Sequence, residues 1–308
     1  MSKVVYPDNI LISLDSLLAL RFRAANNLSK SRKKTSAVIA GNYASPIRGR
    51  GMDFSEVRLY QPGDDVRSID WRVTARTSKA HTKLYTEERE RPVLFVVDTG
   101  SNMQFGTKVA FKSVIAARLV GSLAWSAMVH GDRVGGIMFS GKDHEEIKPA
   151  GSKRGVLKLF RKMLEWNKAN LENRNAETAG GYVDVAVRIK RVARPGSVVY
   201  VFSDFAQIDQ KAERYFSSIS AHCELIFVNI YDELEKKAPP PGRYLISDGQ
   251  RFEKLTVANR KFSHALRKEF EKRDHELKSY CIKNGIRLLS VCTTDDLQQV
   301  LRVKLAQG

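Results

Sequence analysis

From residue 93 onward, short apolar runs alternate with longer stretches of helical periodicity. That order is the mark of a doubly wound, mainly parallel α/β sheet flanked by helices. The strand candidates are 93–97, 133–139, 198–202, 225–230 and 286–291. They are rich in Val, Ile and Phe and apolar on both faces, as strands covered by helices on both sides must be. Helical spacing occupies 108–129, 155–167, 183–193, 207–221, 259–284 and 294–306, and the first of these groups Val109, Val114, Leu119, Leu123 and Trp125 on a broad apolar surface. Pro195-Gly196 and the prolines at 239–241 are the clearest breakers.

Residues 36–91 read differently. Gly41, Pro46, Gly49, Gly51 and Pro62-Gly63 place turns between short alternating segments such as 81–86. A small irregular module containing β-structure is expected there. It is expected to pack against the α/β domain, because Trp71 and the aromatic residues near it need apolar cover. Upstream, Leu14, Leu17, Leu18, Phe22 and Ala25 recur at helical spacing, which favours an amphipathic N-terminal helix. The expected organisation is therefore 1–35, a basic amphipathic helix; 36–91, the irregular module; and 92–308, the α/β domain.

The chain of 308 residues carries 52 Lys+Arg against 34 Asp+Glu, a formal charge of +18. Residues 1–50 hold nine of those cations (Lys3, Arg21, Arg23, Lys30, Arg32, Lys33, Lys34, Arg48, Arg50) against Asp8 and Asp15. Such a cluster suits phosphate backbones, anionic lipid or an acidic protein face. It also suits a solvated helix end, where cations complement the helix dipole. No aromatic residues interleave with Lys30 to Lys34 as a single-strand stacking platform requires, so nucleic acid is the less favoured partner.

Cys223, Cys281 and Cys292 are odd in number and widely spaced, which argues for buried reduced thiols rather than a disulfide framework or zinc finger. No run reaches the roughly 18 to 20 apolar residues of a spanning helix. The nearest, 10–20, is split by Asp15 and lacks a small-residue cleavage site, so neither a transmembrane anchor nor a secretory signal is expected. The expected location is the cytoplasm, with peripheral attachment at the inner face of the membrane as its variant.

Several chemistries lack their residues. There is no G-x-x-x-x-G-K-[ST] phosphate loop, no H-E-x-x-H and no G-x-S-x-G, and His144-Glu145-Glu146 reads as a polar turn. Gly49-Arg50-Gly51 lacks the third glycine and preceding strand of a dinucleotide fingerprint. Asp98-Thr99-Gly100 imitates the tripeptide of aspartic proteases, but those enzymes need two such aspartates and here a long helix follows.

One stretch is long and specific: GRGMDFSEVRLYQPGDDVRSIDW, 49–71, continuing through Ala75-Arg76 and Lys83-Leu84-Tyr85 to LFVVD. With Arg58, Tyr60, Gly63, Asp64, Asp65, Arg67, Ile69, Asp70 and Trp71 in place, it resembles domain-of-unknown-function family 58. There an R-x-Y-x-x-G-D-D-x-R-x-I-D-W signature precedes a von Willebrand factor A-like domain. The resemblance covers residues 40–308. It implies a crevice at the carboxyl ends of the strands, formed by Asp98, Gly100, Ser101, Asn102, Tyr182 and Asp204. In related A domains this crevice is a metal-ion-dependent adhesion site, in which hydroxyl and carboxylate oxygens hold Mg²⁺.

Here Asp98 and Asp204 match, but Gly100 and Asn102 stand at the two serines, and Tyr182 stands where Gly-Thr is usual. The site is thus degenerate. Asp98, Asn102 and Asp204 are the remaining candidate ligands, no cofactor is expected, and Mg²⁺ is the alternative. The carboxylates of 64–70 read as a structural latch with Arg58, Arg67 and Arg72 rather than as acid/base catalysts.

The resemblance implies a non-enzymatic interaction adaptor. Its partners would be a MoxR-type AAA+ ATPase, a client protein, and in one variant a membrane-anchored von Willebrand factor A protein, in chaperone-like maturation or assembly. The competing readings are a basic protein that binds nucleic acid or an anionic surface, and a metal-dependent hydrolase built on Asp98 and Asp204.

Overall fold

A computed structural model of the chain describes residues 6–28, 52–87, 91–141, 143–172, 181–206, 208–237, 239–247, 252–257 and 260–304. Lys3, the cations at 30–34, Arg48 and Arg50 lie outside the described residues. The chain divides into two compact units, 35–90 and the combination of 1–34 with 91–308.

The larger unit is built on six strands, β3 (Pro92–Asp98), β4 (Arg133–Ser140), β5 (Asp143–Ala150), β6 (Val198–Ser203), β7 (Glu224–Tyr231) and β10 (Arg287–Cys292). Their order across the sheet is β10-β7-β6-β3-β4-β5. Every neighbouring pair is parallel except β4 with β5. The winding reverses between β3 and β6, and a doubly wound sheet opens its binding crevice at that switch point, outside the carboxyl ends of the strands.

Alternate residues of the central strands feed two separate cores. Val93, Phe95 and Val97 pack with α3 (Lys112–Val129) and α4 (Ser152–Glu172), while Leu94 and Val96 pack with α5 (Tyr182–Val192) and α6 (Gln210–Ser220). α8 (Arg260–Lys283) joins the second face through Leu277 and Cys281, and α9 (Leu297–Lys304) joins the first through Val300. This two-sided burial explains the apolar strand runs. All three cysteines are free and buried. α3 is the one described helix long and apolar enough to cross a membrane, and most of it is buried inside this unit.

Four sequence expectations change in the larger unit. Residues 1–35 do not stand apart, because α1 (Leu14–Leu28) belongs to the α/β unit: Leu17 is fully buried and its carbonyl accepts the Trp125 indole N–H at 2.9 Å. α3 starts at Lys112 rather than residue 108, leaving Val109 before the helix and 47% exposed. His144-Glu145-Glu146 is no turn but part of edge strand β5, antiparallel to β4. A hairpin, β8 (Gly242–Ser247) with β9 (Phe252–Val257), occupies the stretch where only breakers were read. It follows the four-residue α7 (Glu233–Lys236).

The smaller unit is a hairpin of β1 (Met52–Leu59) and β2 (His81–Glu87), with a bulge between Phe54 and Glu56. The excursion between its strands contains a 3₁₀ turn (Val66–Ser68) and α2 (Trp71–Thr77). Here the signature residues have local jobs. Gly63 takes φ 108°, open to glycine without strain. Arg58 pairs with Asp64 at 2.7 Å, and the other Asp64 oxygen accepts from the Gln61 N–H at 2.9 Å. Asp65 caps the 3₁₀ turn by accepting from the Arg67 N–H, and Asp70 caps α2 by accepting from the Arg72 and Val73 N–H groups. Tyr60 extends the pairing, its N–H donating to the Ala80 carbonyl.

The latch expected of this stretch is present, with Arg58 as its guanidinium. Arg67 and Arg72 contribute backbone N–H groups instead. Trp71 is the first residue of α2 and is 68% exposed.

Candidate functional site

The switch point gathers a buried polar chain. Asp98 ends β3 with only 8% exposure. Its Oδ1 accepts the Gly100 N–H at 2.8 Å and its Oδ2 accepts the Ser203 hydroxyl at 2.5 Å. Ser203 ends β6, is fully buried, and lies 2.7 Å from the Tyr182 hydroxyl. Because Ser203 gives its one proton to the carboxylate, the Tyr182 phenol donates to Ser203. Burial and then the adjacent Asp204 charge push the Asp98 carboxyl up to about 6, against the Ser203 and Gly100 hydrogen bonds and the Lys112 charge. Burial and the same two carboxylates raise Tyr182 well above the ordinary phenol range.

Tyr182 owes its position to Gly181, which has φ 92°. A Cβ there would lie 1.8 Å from the Gly141 carbonyl oxygen. Only glycine lets the chain turn this close to the β4–β5 connection and enter α5 with the phenol pointing inward. Phe139 and Phe205 flank the ring at centroid distances of 5.9 and 6.2 Å.

A second set of charges adjoins the first. Asp204 Oδ2 lies 3.0 Å from Lys112 Nζ, and the same ammonium lies 2.8 Å from Glu235 Oε1. Lys112 is 1% exposed. Its burial pulls the ammonium down, but the two carboxylates outweigh it and the net direction is upward. Glu235 and Asp232 form the capping box of α7. Asp232, fully buried, accepts the Thr107 and Thr293 hydroxyls at 2.6 Å each, along with the Thr107 and Leu234 N–H groups. Burial works to raise its carboxyl, yet these bonds hold it below the usual range.

Of the six crevice residues expected from sequence, Asp98, Tyr182 and Asp204 converge on this region, and Gly100 contributes its N–H. Ser101 and Asn102 lie in the exposed 3₁₀ turn 101–103, and Asn102 makes no hydrogen bond to either aspartate. Ser203, Lys112, Glu235 and Asp232 were not singled out in the sequence. Beside Asp204 lies a small cleft of about 40 Å³, open to solvent and lined by Phe205, Asn229, Tyr231, Phe270 and Arg273 among others.

The donor set does not fit a divalent cation. Both Asp98 oxygens accept hydrogen bonds from the chain itself, Gly100 offers no side-chain oxygen, and a buried phenol stands at the threonine position. An ammonium already sits against Asp204. Among the described residues no group of three His, Cys, Asp or Glu could hold a metal ion. Asn102 is thus not brought together with Asp98 and Asp204 as a ligand set.

Fold and site together define a doubly wound α/β domain with a buried polar chain at the switch point of its sheet. The chain belongs to the family described as protein of unknown function DUF58, whose model matches residues 56–279. Uncharacterized proteins of Mycobacterium bovis and Mycobacterium tuberculosis are 27% identical over 223 residues, covering 71% of this chain and 67% of theirs. Among solved structures, the conserved hypothetical protein BatB from Bacteroides thetaiotaomicron aligns with TM-score 0.44 and 13% identity over 70% of this chain and 98% of its own.

Proposed function

We propose that this protein is a non-enzymatic interaction adaptor that works with a MoxR-type AAA+ ATPase, in the cytoplasm or at the inner face of the membrane, in chaperone-like maturation or assembly of a client protein. The ATPase comes from the family resemblance of residues 49–71. The observation that carries the rest is the state of the switch point: the hydroxyl beside Asp98, that of Ser203, is fully buried. A nucleophile needs access to substrate as well as a base.

The ionic groups around it are paired within the chain, which suits a recognition edge rather than a reaction centre. The groups offered outward are Ser101, Asn102 and the cleft beside Asp204. A membrane-anchored von Willebrand factor A protein is a further partner of the same reading.

The test is an affinity pull-down of the tagged chain from its own cells, at low and high salt, with and without ATP, scored for protein and nucleic acid. Retention of an AAA+ ATPase at high salt, altered by nucleotide and by Asn102→Arg, is the expected result. Nucleic acid released by salt with no ATPase present would replace this reading with the electrostatic one.

A further inference from the structure

Lys112 is expensive where it stands. It is the first residue of α3, and the positive end of a helix disfavours a cation. It is 1% exposed, and burial disfavours an ammonium again. A residue so placed persists only where the carboxylates around it need it more, because removing one partner of a buried ion pair strands the others. Asp204 and Glu235 supply that need from two separate elements, the end of β6 and α7. Their remaining oxygens are engaged as well. Asp204 Oδ1 accepts the Ala206 N–H at 3.1 Å, and Glu235 Oε2 accepts the Asp232 N–H at 2.7 Å.

We propose that Lys112 is the resident cation of this crevice: its ammonium takes the charge-balancing role that a divalent ion plays in metal-dependent A domains, so the site neither needs nor takes up Mg²⁺ or Mn²⁺. An ammonium supplies one charge and three donors but no coordination position. A metal at such a site leaves a position open for a partner's carboxylate, whereas Lys112 already balances two carboxylates and its burial withholds the remaining donor from a third. For the adaptor reading, on which this consequence rests, recognition at this edge then depends on neutral hydrogen bonding and not on an acidic anchor. The assignment of the cation stands without that reading.

The experiment uses the full chain, stripped with chelator, titrated with Mg²⁺ or Mn²⁺ alone by calorimetry and followed by thermal unfolding at matched ionic strength. The native protein is expected to give no saturable heat and the same midpoint in chelator and in metal. Lys112→Ala is expected to melt lower in chelator and to recover on adding metal, with an apparent Kd of about 10⁻⁴–10⁻³ M. The recovery should vanish in Lys112→Ala with Asp204→Asn. Stoichiometric metal binding by the native protein, lost in Asp204→Asn, would overturn the proposal, and so would a Lys112→Ala protein indifferent to metal. Should Lys112→Ala fail to fold in chelator, folding restored by metal during refolding supports the proposal and failure in both media sinks it. A pull-down without an ATPase leaves these outcomes unaffected.

Discussion

The Tyr182 hydroxyl stands 2.7 Å from Ser203 Oγ, and Ser203 in turn donates a hydrogen bond to Asp98. This relay runs from the start of α5 through the end of β6 to the end of β3, the three elements that meet at the switch point. Tyr182→Phe removes its outer donor while keeping the ring between Phe139 and Phe205. The expected loss is about 1 kcal/mol, the net worth of one hydrogen bond, read as a lower denaturation midpoint at unchanged m-value.

Asp98 makes stability depend on pH in the less common direction. Its carboxyl is raised to about 6, so between its ordinary value near 4 and about 6 the native state holds a proton that the unfolded chain has released. Unfolding free energy therefore falls as pH rises through that window. At neutral pH the loss is about 3 kcal/mol, on an exchange of about 1.4 kcal/mol per unit. Asp98→Asn should flatten the dependence and melt higher at neutral pH. Urea titrations across the window check this, and a variant with the native slope would refute it.

Asp232 works in the opposite sense. Its folded carboxyl is depressed, so its contribution is complete above the ordinary carboxylate range and drains away as pH falls below it. It ties Thr107, the cap of α7 and Thr293 after β10 to one side chain. Asp232→Ala leaves several buried donors without an acceptor, at an expected cost of roughly 2–4 kcal/mol. Amide exchange should quicken at the 107 loop and α7 together, since one carboxylate holds both.

Gly181→Ala combines a left-handed φ with a clash against the Gly141 carbonyl oxygen. The backbone must move, and Tyr182 with it. A loss above about 3 kcal/mol is expected, with a changed aromatic circular dichroism signal. A variant that kept the native midpoint would mean the turn is free to relax.

Trp71 gives the plainest optical prediction. At 68% exposure it should be quenched readily by iodide, whereas Trp125 is fully buried and should not be. Trp71→Ala should change stability by less than about 0.5 kcal/mol while removing the most readily quenched emission and leaving that of the half-buried Trp166.

The parallel core was legible because its strands are apolar on both faces, a pattern independent of what packs on them. Edge strand β5 hid because Ile147 is its only fully buried residue, so Asp143 to Glu146 carry no apolar alternation. The β8–β9 hairpin had a readable cue in Asp248-Gly249 between alternating runs, outweighed by the prolines before it. Asp98, Tyr182 and Asp204 could be found by motif. Lys112 could not: in the sequence it is one lysine in the first turn of an amphipathic pattern, and only the arrival of α7 from more than a hundred residues downstream turns it inward.

Translation delivers α1 well before the indole that anchors it, since Trp125 joins the chain 108 residues after Leu17. While the intervening module and β3 are being made, the apolar stripe of α1 has no surface to cover. Closing so long a loop adds only slowly growing entropy, so the late docking is thermodynamically cheap. Its cost is kinetic. A nascent chain paused before Trp125 emerges carries α1 as a bare amphipathic helix, whose docking waits for an indole made 108 residues later.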